Sequence, residues 1–359
     1  MRTSRIIIVV LVVVVIVAAI YAVTVLTAAP SICTSTWECG AGYPVDVGGA
    51  FAIAGEQCVN TASTIYCIGG QDAHGGPRND VYYTSAISSS GNITGWILDS
   101  QAYPQYIDGE SCVLSSGFVY CVGGSYNDNG DDVASSYYTN VTTSGSLGNW
   151  NSTTPFPIPV DSQSCLASFS YIYCVGGNNE TDGSNVDATA TNSVWYAPLS
   201  ASGIGKWSLT TAYPVNVQYP SCFVGGSEVY CLGGADANGN SLGAAYYATL
   251  SPSGVGAWIS TTSYPVAGSG QACVISSGDI LCVGGETGGG SSPTYTNTVY
   301  YAPISSSGIG TWKQAPNYPV SVGTVCVTLS ANIYCVGGFE GSSSANNFVE
   351  YASLASLTS

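Results

Sequence analysis

The stretch Ser111-Cys112-Val113-Leu114-Ser115-Ser116-Gly117-Phe118-Val119-Tyr120-Cys121-Val122-Gly123-Gly124 carries the reading of the whole chain. Eight residues lie between its two cysteines. A two-residue turn at Ser116-Gly117 sets Cys112 opposite Cys121 and Val113 opposite Tyr120. Facing residues of a non-hydrogen-bonded antiparallel pair have Cα atoms about 4.5 Å apart, at the short end of the disulfide range of about 4.4–6.8 Å. The two strands can therefore be stapled, and a loop this short adds on the order of 2.5–3 kcal/mol in the chain-entropy account.

The same spacing recurs along the chain. Cys58/Cys67, Cys112/Cys121, Cys165/Cys174, Cys222/Cys231, Cys273/Cys282 and Cys326/Cys335 are each nine positions apart, and the pairs follow one another at intervals of 54, 53, 57, 51 and 53 residues. Self-similarity at about 50 residues signals a propeller or a solenoid. Cys-x8-Cys is not a usual zinc spacing, and a single histidine offers no second ligand type. The second cysteine always lies in one motif: YCIGG at 66–70, YCVGG at 120–124 and 173–177, YCLGG at 230–234, LCVGG at 281–285 and YCVGG at 334–338. An aromatic strand follows, such as Val81-Tyr82-Tyr83 or Val194-Trp195-Tyr196, with Val349-Glu350-Tyr351 in the last repeat. Then come Trp96, Trp150, Trp207, Trp258 and Trp312, each followed by an aromatic-Pro pair such as Tyr103-Pro104 or Phe156-Pro157.

This pattern resembles the kelch repeat: a strand ending in Gly-Gly, a Tyr-containing strand, and a Trp about a dozen residues further on. The resemblance covers residues 37–354. It implies an all-β fold, a six-bladed kelch-like β-propeller of four-stranded antiparallel blades. The strands read A (first cysteine), B (the Gly-Gly motif), C (the aromatic strand) and D (the Trp). Two departures matter: paired cysteines are not part of the usual kelch pattern, and the basic residues that often line kelch pockets are nearly absent. The last repeat ends without a Trp, while Trp37 and Tyr43-Pro44 precede the first. The strand around Trp37 is therefore expected to serve as strand D of the sixth blade, beside Phe348 to Leu354, closing the ring and removing its exposed edges.

The N-terminus sets the compartment. Arg2 and Arg5 precede an uncharged run over 6–28, long enough to span a bilayer as a helix. The expected organisation is a cytoplasmic segment 1–5, a transmembrane signal-anchor helix 6–28 and an extracellular propeller 29–359, with the basic residues inside. The other reading is a cleaved secretory signal, although Pro30 would hinder cleavage after Ala29. Fourteen cysteines agree with an oxidising compartment. Cys33 and Cys39 flank Trp37 and could pair only if the chain turns near Ser35; an intermolecular bridge is the alternative.

Composition excludes more than it names. Five basic residues against 21 acidic ones give a net charge of −16, which removes phosphate-neutralising nucleic-acid binding. Charged residues are only 7%, so the fold depends little on ion pairs and should tolerate acid. His74 is the one histidine, which argues against the copper sites of kelch-like oxidases. Arg78 is the one arginine outside the N-terminal segment, whereas sialidases and sialic-acid mutarotases grip a carboxylate with several. No catalytic residue, metal site or cofactor is expected. The loops Asp236-Ala237-Asn238-Gly239-Asn240 and Asn127-Asp128-Asn129-Gly130-Asp131 only faintly suggest calcium and do not complete an EF-hand.

Most of the acids fall in the B–C and D–A loops, on one face of the expected disc. Long polar loops explain that simply; a binding face is the sharper reading. Two residues before each first cysteine stand Glu56, Glu110, Gln163, Pro220, Gln271 and Thr324. Strand A is innermost in a propeller, so Glu56, Glu110, Gln163 and Gln271 are expected to ring the channel mouth, with Tyr106 and Tyr219 adding apolar faces for a sugar. Sequons at Asn92, Asn140, Asn151 and Asn179 make glycosylation plausible outside the cell. The expected function is a non-catalytic surface module for recognition or adhesion of a glycan or protein, anchored in the lipid bilayer through 6–28. A structural coat subunit is the second reading. A carbohydrate-active enzyme using Glu56 and Glu110 as acid and base is the third.

Overall fold

The computed structural model describes residues 33–44, 53–72, 74–126, 131–179, 189–289, 294–340 and 344–358. The chain divides into two units, Met1–Cys33 and Thr34–Ser359. The apolar run 6–28 lies outside the described residues, as does 127–130, most of one faint calcium loop. Among the described residues no helix is long and apolar enough to cross a membrane.

The second unit is built from antiparallel sheets: one main sheet per cysteine repeat, and two small ones, Asn178–Asn179 with Thr189–Ala190 and Gly268–Ser269 with Glu286–Thr287 and Thr294–Tyr295. In repeat two, strand A (Ser111–Ser115) faces strand B (Phe118–Val122), with Cys112 opposite Cys121. Ser116 and Gly117 turn the chain at φ of +51° and +80°, the left-handed pair that matches a two-residue hairpin to the twist of its strands. Strand C (Ser136–Asn140) lies against B, with Tyr138 opposite Tyr120, and strand D (Asn151–Ser152) lies against C.

The six expected disulfides all form: Cys58–Cys67, Cys112–Cys121, Cys165–Cys174, Cys222–Cys231, Cys273–Cys282 and Cys326–Cys335, with Cα atoms 4.0–4.1 Å apart. That spacing is slightly shorter than the range expected from sequence, because each pair occupies directly opposed positions of one hairpin. Cys33 and Cys39 are also disulfide-bonded. The chain does turn between them, Thr34 N–H donating to the Trp37 carbonyl at 2.8 Å.

In the last repeat, A (Val322–Leu329), B (Asn332–Glu340) and C (Ser344–Ser353) are joined by Glu38–Cys39, whose residues pair with Tyr351 and Glu350. Strand D differs from expectation in one respect. Outside repeat one, where it runs Ile93–Leu98 around Trp96, it is only two residues long and follows the Trp rather than containing it. The reason is packing: each indole turns toward the preceding repeat. Trp96 sits edge-on to Tyr43 with centroids 5.0 Å apart, Trp150 to Tyr103 at 5.0 Å and Trp207 to Phe156 at 4.9 Å. This explains why an aromatic-Pro pair follows every Trp: its ring receives the indole of the next repeat, and edge-to-face contacts add about 0.5–1.5 kcal/mol beyond burial.

The core is a series of seams rather than one mass. One cluster joins Val59, Tyr66 and Ile68 of repeat one to Val119 and Cys121 of repeat two; the next joins Tyr120 and Val122 to Ile172 and Ala197 of repeat three. Both faces of each sheet are thus covered, which accounts for B strands such as Glu228–Leu232 that are buried along nearly their whole length. The Gly-Gly motif lets the seams close. Gly123 and Gly124 have φ of +68° and +97°, and a Cβ on Gly123 would lie 2.3 Å from the Val160 carbonyl oxygen.

Candidate functional site at the channel mouth

Strand A of each repeat stands beside strand A of the next, and Val322–Leu329 of repeat six stands beside Gln57–Asn60 of repeat one. Between them is a cavity of about 520 Å³, lined by residues of all six repeats. Its rim is a backbone collar. Three residues before the first cysteine stand Gly55, Gly109, Ser162, Tyr219 and Gly270, all left-handed, with φ of +71°, +65°, +55°, +53° and +60°. Gly109 N–H donates to the Gly55 carbonyl at 3.3 Å, Ser162 to Gly109 at 3.0 Å, Tyr219 to Ser162 at 2.8 Å and Gly270 to Tyr219 at 3.4 Å. Glycine adopts this conformation freely. Tyr219 does not, and holding a bulky residue there costs about 1–3 kcal/mol.

The disulfides divide between the cavity and the seams. Five of the six strand A partners, Cys58, Cys165, Cys222, Cys273 and Cys326, line the cavity wall. The strand B partners Cys67, Cys121, Cys174, Cys231, Cys282 and Cys335 do not, and each is at most 1% exposed. Strand B is the second strand out from the channel and is covered on both faces, so its cysteines are closed to any ligand and act only as staples. Cys231 is packed with Val217 and Val229, and Cys282 with Tyr264 and Ile280. Cys174 lies with Val160 and Ile172, and Cys335 with Val322 and Ile333.

Tyr219 is 48% exposed and lines the cavity with Glu286, Tyr295 and Phe339. Tyr295 stacks on Phe339 with centroids 6.5 Å apart. The Asp161 carboxylate, then burial, push the Tyr219 hydroxyl well above its ordinary range, with Asp108 and Glu286 adding to the effect. Burial raises Glu286 itself. Asp161 is pushed up to about 8 by burial and by the neighbouring Asp132. Among the described residues lining the cavity there is no lysine, arginine or histidine.

The four carboxyl and amide residues expected to present themselves to a ligand do reach this cavity, but Glu56, Glu110, Gln163 and Gln271 are only 1–6% exposed. Their side chains turn into the seams. Gln163 Nε2 donates to the Val122 carbonyl at 2.7 Å, and Gln271 Nε2 to the Leu232 carbonyl at 3.3 Å. Burial pushes Glu56 to about 8. Tyr106 is 60% exposed and is not among the cavity's lining residues. The residues that sequence reading did not place here are Tyr295 and Phe339, together with the role of Glu286. A signal was available: Glu286 and Phe339 each follow a Gly-Gly directly, the point where strand B leaves the channel.

The remaining candidates have local partners. Arg78 gives Nε and a terminal nitrogen to Asp80, and His74 is an exposed loop side chain 3.9 Å from Asp72. Asp236 caps its own turn, accepting from the backbone of Asn238 and Asn240 at 2.8 and 2.9 Å. Among the described residues no three His, Cys, Asp or Glu side chains are grouped to hold a metal ion. Asn140 and Asn151 are exposed; Asn92 and Asn179 are half-buried, and Asn179 donates to the Pro159 carbonyl.

A solved structure titled "Structure of YjhT" superposes on the chain with a TM-score of 0.69 at 14% identity, covering 86% of this chain and 95% of that one. The fold is that of a β-propeller. At this identity the likeness carries the propeller fold and nothing further. No protein-family model matches the chain, and no curated protein does. The kelch resemblance of the propeller thus rests on its repeat motifs.

Proposed function

We propose that the chain is a membrane-anchored, extracellular six-bladed propeller of the kelch type, closed through Trp37, that recognises a neutral glycan at its channel mouth without catalysis. The observation that carries this reading is the chemistry of the cavity. Tyr219, Tyr295 and Phe339 offer aromatic faces, Glu286 and Gln218 offer polar groups, and among the described residues no basic side chain lines it. Aromatic surface with a few placed polar groups suits a sugar, while the missing cations disfavour anionic ligands. Tyr219 supports the reading further, because strain retained at a half-exposed residue beside a cavity points to use rather than to folding. The six successive Trp contacts support closure, and the cysteine pairing supports an oxidising location. The burial of Glu56 and Glu110 in the seams weighs against their acting as an acid–base pair on a substrate.

The test is a glycan array probed with the full chain in detergent at pH 4 and pH 7. Binding to uncharged glycans, lost in Tyr219→Gly and in Tyr295→Ala/Phe339→Ala with a melting temperature no lower than that of the wild type, is the expected result. Failure to bind any glycan would turn the reading toward a structural coat. Binding confined to acidic sugars would overturn the chemistry assigned to the mouth.

A further inference from the structure

One position of the mouth has a single geometry and two chemistries. Gln163 reaches from repeat three back to the Gly-Gly of repeat two, donating to the Val122 carbonyl, and a Cβ on Gly123 would lie 2.8 Å from its Nε2. Gln271 does the same toward repeat four, over Gly233 and onto Leu232. At this position repeat two carries Glu110, reaching back toward repeat one. A Cβ on Gly69 would lie 2.7 Å from its Oε1, so this oxygen stands where the amide nitrogens stand in the other two seams. The group corresponding to the Val122 and Leu232 carbonyls is the carbonyl of Ile68, directly after Cys67. A carboxylate has no hydrogen to give to a carbonyl. Glu110 is 1% exposed, and neither of its oxygens has a partner, which for a buried charge is costly.

We propose that Glu110 stands in the folded protein as a carboxylic acid whose O–H donates to the Ile68 carbonyl, in place of the amide N–H of Gln163 and Gln271, so that deprotonation opens the joint between repeats one and two. The surroundings favour the neutral acid. Burial acts on it first and prevails over its own backbone N–H, which favours the ionised form, while the carboxyls of Asp108 and Glu56 oppose its ionisation. Tyr103, on the segment leading to it, has its own hydroxyl pushed up by burial and by Glu110. Arg78 bridges Ile107 through its backbone but gives its guanidinium to Asp80. Tyr66, on the strand that carries Ile68, turns its hydroxyl to the Gly145 carbonyl at 2.8 Å. Because the folded value lies above the ordinary 4.5, the stabilisation is whole in acid below that value and is lost as pH rises through the raised one.

The experiment compares the full chain in detergent with Glu110→Gln, which supplies the amide already used at Gln163. The expected result is one melting temperature for both at pH 4, and at pH 8 a variant that melts higher by about 2 °C or more. The infrared difference spectrum at pH 5 should show the carbonyl stretch of a protonated carboxyl group present in the wild type and absent in Glu110→Gln. Glu110→Ala, which deletes the donor, should melt lower at both pH values. A Glu110→Gln protein that fails to fold, melts lower at pH 8, or shifts equally at both pH values would overturn the proposal, as would a difference spectrum without that band.

Discussion

The indole of Trp37 meets the ring of Tyr318 edge-on, with centroids 4.8 Å apart and planes at 84°. Its Nε1 points at the Pro316 carbonyl at 3.5 Å. Trp312 makes the same pair of contacts one repeat earlier, to Tyr264 at 5.1 Å and to the Thr262 carbonyl at 3.4 Å. The contact that joins neighbours in mid-sequence therefore also holds the strand that begins the unit against the sequence near its end.

Burial separates the two. Trp37 is 0% exposed, whereas Trp312 is only partly covered. Trp37→Ala should cost about 3–5 kcal/mol, the usual range for a large buried ring, and Trp312→Ala clearly less. Denaturant unfolding followed by circular dichroism measures both. Equal losses would mean that the Trp37 strand is no more than an accessory.

The tyrosine of strand B has a use that its motif does not advertise. Tyr120, Tyr173 and Tyr230 each donate to a carbonyl in the C–D turn of the next repeat: Ser200 at 2.8 Å, Ser251 at 2.7 Å and Ser305 at 2.7 Å. Repeat five carries Leu281 instead, and its neighbour is the last repeat, where the short helix Leu354–Leu357 follows strand C. Leu281, Leu354 and Leu357 are buried in one cluster. Tyr230→Phe should lose about 0.5–1.5 kcal/mol with its hydrogen bond. Leu281→Tyr, which makes repeat five match the consensus, should be destabilising by about 1–3 kcal/mol through overpacking. A Leu281→Tyr protein as stable as the wild type would show that the helix does not fill this site.

Tyr219 sets stability against use. Glycine occupies the equivalent collar positions 55, 109 and 270. Tyr219→Gly should raise stability by about 1 kcal/mol through relieved strain, while removing the aromatic face of the mouth. Calorimetry and glycan binding on the same preparation check the pair of effects. A variant that is less stable than the wild type would mean that the ring contributes packing that outweighs its backbone strain.

The repeat architecture was legible because disulfide spacing, Gly-Gly and Trp are local signals repeated in register, and they fix which residues face one another. Cys112 opposite Cys121 follows from counting. The candidate site was only half legible. Position relative to the first cysteine points Glu56, Glu110, Gln163 and Gln271 toward the cavity they line, yet a count along the strand cannot tell a side chain turned into the lumen from one turned into a seam. That choice is made by the neighbouring repeat, whose Val122 and Leu232 carbonyls accept from the two amides. Tyr295 comes from the two-residue strand Thr294–Tyr295 of repeat five and Phe339 from strand B of repeat six, and their stacking is a contact between sheets that no single motif encodes.

Glu350 gives the fold a second response to pH. It occupies the place opposite the second cysteine that Tyr82, Tyr137 and Tyr300 hold in other repeats. Those rings pack on an aromatic-Pro ring, as Tyr82 does on Tyr43 at 5.3 Å. Here the Tyr318 hydroxyl instead donates to Glu350 Oε2. Burial pushes this carboxyl from 4.5 to about 7. An unfolded chain releases that proton near its ordinary value, so between the two values the unfolded state binds fewer protons and stability falls as pH rises. At 1.36 kcal/mol per unit the effect of this one group is on the order of 3 kcal/mol. Glu56 and Asp161, both pushed to about 8, act in the same direction. The melting temperature should therefore be highest in acid and decline from pH 5 to pH 8. Glu350→Gln keeps an acceptor for Tyr318 and cannot ionise, so it should match the wild type at pH 4 and exceed it at pH 8. A wild type more stable at pH 8 than at pH 5, or a Glu350→Gln variant that keeps the full decline, would remove Glu350 from this account.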